Sequence, residues 1–161
     1  MTYDINRAIH RIQALAPALA FDPDPRGVEN AFLGARVYSI ATTPNALIAR
    51  VFDPNEGRRI LYVGQRAARA YQACQLHAAF RAMGVDISEF PRPSARRPNA
   101  PAHDAVRGYR LIAACTGDTQ SWALSSPAGP VLEDIDSPEA AGLYATAHAL
   151  TTTGQRAAAL A

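Results

Sequence analysis

The sequence predicts an α+β protein: an N-terminal helix followed by two tandem βββα units whose strands run as antiparallel meanders. Three observations lead there. Strand-like segments rich in β-branched and aromatic residues come in threes, separated by short turn signals. Each triplet is followed by an alanine-rich segment of helical length. The two alanine-rich segments align at an offset of 73 residues, bringing Ala67-Ala68 over Ala140-Ala141 and Tyr71 over Tyr144, which reads as an internal duplication. With 161 residues and 48% hydrophobic content the chain can bury a substantial core.

The first element is an amphipathic helix. Ile5, Ala8, Ile9, Ile12, Leu15, Ala16 and Leu19 recur at helical spacing, with Arg7, Arg11 and Gln13 opposite. Asp4 is placed to cap it, and Pro17 ends or kinks it near Leu15. Phe21 to Gly27, FDPDPRG, then reads as a loop, so residues 1–33 form a helix-and-loop segment.

The first unit covers 34–90. RVYSIAT and ALIARVF flank the turn TPN and pair as strands near 36–42 and 46–52. DPNEG reverses the chain, with Pro54 set for a type I turn and Gly57 free to take positive φ. RRILYV is the third strand, Gly64 ends it, and the helix from Gln65 runs to Met83, where Gly84 stops it. Residues 91–107 hold four prolines without periodicity and form a connector. In the second unit, 108–161, YRLIAAC, SWALS and PVLEDI are strands joined by TGDT and SPAG, and Ser137-Pro138-Glu139 caps the closing helix.

Charge divides along the same boundary. All 16 basic residues are arginine. From Gly34 to Gly84, seven arginines against Asp53 and Glu56 give +5; from Gly108 to Gly154, Arg110 against Asp118, Glu133, Asp134, Asp136 and Glu139 gives −4. Arginine suits planar, bidentate contacts to phosphate or carboxylate. The start of the chain lacks a secretory layout and no apolar run approaches a membrane span, which implies a soluble, cytoplasmic protein.

Strand alternation sorts the first meander into two faces. Val37, Ala41, Leu47, Ala49, Val51, Leu61 and Val63 suit packing under the helix. The opposite face then carries Arg36, Tyr38, Ile40, Ile48, Arg50, Phe52, Arg58, Ile60 and Tyr62, with Arg59 adjacent. Arginine interleaved with aromatics fits a surface that grips a nucleic-acid backbone. The isoleucines make this face too apolar to leave to water, so the first helix, the second sheet or a partner covers part of it.

Asp53-Pro54, Gly57, Arg59, Tyr62-Val63-Gly64 and Ala67-Ala68-Arg69-Ala70-Tyr71, with Trp122 and Asp136 to Tyr144 in the second unit, resemble the ethylene-response-factor (APETALA-two) DNA-binding domain. The resemblance spans roughly 35 residues per unit and implies a three-stranded sheet backed by one helix, with the sheet in the DNA major groove. Phe52 stands where that family has a contacting arginine.

No catalytic constellation accompanies these features. Cys74 and His77 lack a second ligand pair, His103-Asp104 lacks a nucleophile, and Cys115 to Asp118 reads as a strand end and turn. Both cysteines read as buried thiols, and no cofactor or metal is implied. The expected function is therefore non-enzymatic DNA binding through Arg36, Tyr38, Arg50, Arg58, Arg59 and Tyr62. The alternative is a small protein-binding inhibitor or adaptor, with a protein partner or a second copy on the sheet face or the acidic unit.

Overall fold

A computed structural model describes residues 4–87, 103–104, 108–116 and 119–152, with the backbone alone for 103–104, 114–116 and 119–120. The α+β class is what the chain adopts: the described residues form three helices and two antiparallel sheets. Helix α1 (Ile5–Gln13) starts as expected, with the Asp4 carboxylate accepting from the N–H groups of Asn6 (3.1 Å) and Arg7 (3.3 Å). Its stripe of Ile5, Ala8, Ile9 and Ile12 is buried. Leu15 belongs to the expected stripe but lies beyond the last helical turn and is exposed.

The first sheet has five strands in the order β1-β2-β3-β4-β5: Asp22–Asp24, Val28–Leu33, Arg36–Thr42, Leu47–Asp53 and Gly57–Gly64. Two of these lie in the segment expected as a loop. The aspartate and proline content that signals a turn marks a hairpin tip here. Asp24 accepts from the Arg26 N–H through its side chain (2.8 Å) and from the Gly27 N–H through its carbonyl (3.0 Å), with Gly27 at φ 81°. Gly34, at φ 62°, then makes a two-residue turn from β2 into β3.

Helix α2 (Ala67–Met83) follows β5 and stops at Gly84 in the left-handed region. The second sheet has the order β6-β7-β8-β9: His103–Asp104, Arg110–Thr116, Thr119–Ser126 and Gly129–Ile135. Helix α3 (Pro138–Thr152) closes the described chain. His103-Asp104, expected in the connector, pairs with the start of β7; the remainder of 91–107 lies outside the described residues.

Helix α2 packs on β3, β4 and β5, while α3 packs on β8, β9 and β5. Helix α1 touches both helices, so one hydrophobic core runs through the described chain. Among the described residues no helix is long and apolar enough to cross a membrane.

A polar seam joins β5 to the start of α3. The buried Tyr62 hydroxyl donates to the Asp136 carboxylate and accepts from the Arg66 N–H (2.8 Å). Ser137, just before α3, donates from its hydroxyl to Glu139 (3.0 Å), and the same hydroxyl crosses the seam to accept from the Val63 N–H (2.9 Å). Gly64 sits against this junction. A Cβ there would lie 2.6 Å from the Asp136 Oδ2 and 2.7 Å from the Tyr62 Cζ, both held by their hydrogen bonds. Gly64→Ala is therefore expected to cost about 1–3 kcal/mol, read as a lowered urea midpoint; an unchanged midpoint would show that the seam yields.

Candidate functional site: the outer face of the first sheet

Strand pairing and burial define which residues share a face. On the inner side Ala31, Tyr38, Ile40, Ala49, Val51 and Leu61 are buried under the helices. On the outer side the register sets three rows across the strands. One row is Asp24, Val28, Ala41, Ile48 and Val63; the next is Asp22, Asn30, Ser39, Arg50 and Ile60; the third is Phe32, Val37, Phe52 and Arg58.

The expected site residues divide between these faces. Arg50 and Arg58 lie together on the outer face, both exposed, and line a shallow hollow of about 400 Å³ with Asn30, Val37, Ser39 and Phe52. Arg36, Tyr38, Arg59 and Tyr62 do not line it, although Arg59 shares a second cleft with Arg58 at the β4–β5 turn. The face assignment is corrected for two reasons. Strand β3 is offset by one residue from the expected pairing: Tyr38 lies opposite Val51, so Tyr38 and Ile40 point inward while Val37 and Ala41 point outward. A bulge then breaks the alternation where Ala49 pairs with Tyr62 and Arg50 with Ile60, which leaves both Leu61 and Tyr62 buried.

The outer face is strongly apolar for an uncovered surface. Phe32 is 71% exposed, Phe52 46% and Ile60 47%. Among the described residues no element packs over them. Phe32, Asn30, Val28, Asp22 and Asp24 were missed in the sequence because their stretch reads as a loop. The available signal was the alternation of VENAFL between Gly27 and Gly34.

On the inner side Arg36 donates from Nε to Asp53 Oδ2 at 2.7 Å, and that hydrogen bond holds the Asp53 carboxyl below its ordinary range. Asp53 also accepts the Asn55 N–H (2.8 Å), which fixes the β4–β5 turn. Arg81 pairs with Glu56 at 2.7 Å. Asp53, Glu56, Arg58, Arg59 and Arg81 line a cleft of about 270 Å³ at the β4–β5 turn.

Tyr38 and His77 form a fully buried pair. The Tyr38 hydroxyl lies 2.9 Å from His77 Nδ1, with the rings edge to face. Burial pushes the tyrosine far above the ordinary phenol range and lowers His77 to about 3, with Arg81, Arg59 and Arg36 adding to the second shift. Both groups are thus neutral, and the hydroxyl and Nδ1 share one hydrogen bond. A second pair repeats the arrangement: Tyr109 and His148 Nδ1 are 2.6 Å apart, and in both pairs the histidine follows the tyrosine by 39 residues.

Cys74 is buried and its thiol is pushed up to about 12 by desolvation, so it is inert as a nucleophile. The side chain of Cys115 lies outside the described residues. Among the described residues no three histidine, cysteine or acidic side chains gather to hold a metal. Comparison with known protein families, curated proteins and solved structures finds no match to this chain.

Proposed function

We propose that this is a non-enzymatic binding protein of the inhibitor or adaptor type, which docks a protein chain on the outer face of its first sheet. The observation that carries this reading is one continuous face exposing Phe32, Phe52 and Ile60. Burying such a patch is the main favourable term available to it, at roughly 25 cal/mol per Å² of apolar area.

A second reading, DNA binding, keeps one supporting observation: Arg50 and Arg58 share that face with Phe52. The family resemblance points the same way. Asp22 and Asp24 at the opposite edge weigh against a phosphate track, Tyr38 and Tyr62 are buried, and Arg36 is paired with Asp53.

A photo-crosslinking amino acid at position 52, with position 15 as an exposed control, tests the first reading in the cell of origin. A discrete protein adduct from position 52 alone is expected. Its absence, together with salt-dependent binding to duplex DNA that is lost in Arg50→Ala/Arg58→Ala, would favour the second reading. Neither signal would remove both.

The fold is proposed to be a tandem βββα duplication, with β1, β2 and β6 as additions. The two Tyr–His pairs support it, since both members shift by the same 71 residues, from 38 to 109 and from 77 to 148.

A further inference from the structure

We infer that the occupant of the outer face is a second copy of the chain, stacked sheet on sheet about a two-fold axis parallel to β3. This rests on the protein-docking reading of the same face and names its partner.

The charges across the face are ordered. Asp22 and Asp24 lie on edge strand β1, whereas Arg50 and Arg58 lie on β4 and β5, with uncharged residues of β2 and β3 between them. Of the two-fold axes that stack such a face on itself in a closed pair, two keep the strands of the copies aligned. An axis running across the strands sets β1 on β1 and β5 on β5, opposing aspartate to aspartate and arginine to arginine. An axis along β3 reverses the strand order and keeps each row in place. Asp22 then lies over Ile60 of the copy, flanked diagonally by its Arg50 and Arg58, and Asp24 lies over Val63.

The same operation sets the residues of β2, β3 and β4 against one another. Phe32 meets Phe52 of the copy, Val28 meets Ile48, Asn30 meets Arg50, and Val37, Ser39 and Ala41 of β3 meet themselves. Small side chains therefore lie on the axis with large ones flanking, which lets two sheets approach to roughly the 10 Å of stacked sheets. The rotation of roughly 30° between stacked sheets displaces the corners most and the axis least. The face is roughly 20 Å in each direction by strand spacing and rise, a small interface, so the dimer is weak and reversible.

The test is sedimentation velocity of the full chain from micromolar to millimolar concentration. Wild type is expected to pass from monomer to dimer. Asp22→Arg and Arg50→Asp/Arg58→Asp alter exposed side chains, and circular dichroism confirms their folding. Each alone is expected to dimerise at least about tenfold more weakly, while a mixture of the two restores a heterodimer. Phe52→Glu abolishes association by burying an unpaired charge.

Wild type that stays monomeric at every concentration overturns the inference. So does a dimer indifferent to both charge reversals and to Phe52→Glu. The crosslink from position 52 separates this failure from that of the broader reading. An adduct with a different protein, alongside a monomeric chain, leaves protein docking standing and removes self-association. An adduct of twice the chain mass supports both, and a monomer without any adduct removes both.

Discussion

Tyr62→Ala is expected to cost about 3–5 kcal/mol of stability, a large share of the roughly 5–15 kcal/mol available to a domain. The substitution empties a fully buried aromatic site between the first sheet and the start of α3, and leaves two polar groups behind. The Asp136 carboxylate loses a donor and the Arg66 N–H loses an acceptor. Tyr62→Phe isolates the second contribution: it keeps the ring and is expected to cost about 1–3 kcal/mol. Urea unfolding of both variants measures the difference. A phenylalanine variant as stable as wild type would mean that the hydroxyl contributes nothing to the joint.

Stability is expected to fall as pH drops from about 6.5 to about 3, because His77 is buried neutral against Tyr38. Above 6.5 the ring is neutral in both the folded and the unfolded chain, and its contribution is constant. Below 6.5 the unfolded chain takes up a proton that the folded chain refuses until about 3, so stability rises with pH across that window. A shift of this size corresponds to something on the order of 4–5 kcal/mol. His148, also lowered by desolvation, acts with the same sign. Asp53, whose pKa is lowered mainly by Arg36, adds further loss at the acid end of the window. His77→Gln is expected to be less stable at neutral pH yet to lose less on acidification. Parallel slopes for variant and wild type would place the proton uptake elsewhere.

The elements that local chemistry dictates were legible. Asp4 caps α1, Gly57 and Gly84 take positive φ, and the limits of β4, β5, α2, β8 and β9 fall within two residues or so of those expected. Register was harder. Turn residues place strand ends to within one position, and one position exchanges the faces of β3. A bulge then undoes alternation on β5, and Tyr62 moves from the expected outer surface to the core. Arg50 and Arg58 survived because β4 and the start of β5 keep simple alternation. The alignment of the two alanine-rich segments at an offset of 73 residues compares residue types, not environments. Tyr71 over Tyr144 matches residue types, but Tyr71 is exposed beside Phe21 while Tyr144 is buried. The Tyr–His pairs match environments, and the repeated spacing of 39 residues was present in the sequence throughout.

The position of α2 has a consequence for how the molecule opens. From Ala73 to Phe80 only Gln75 is incompletely buried, because α1, α3 and three strands surround the helix. Its backbone amides in that stretch can reach solvent only when these neighbours separate. They should therefore exchange with deuterium at the rate of global unfolding, whereas those of β1, an edge strand of three residues, exchange through local fraying. The chain thus has its slowest clock in its middle helix, and any partner that slows exchange there must be stabilising the whole fold rather than the surface that it touches.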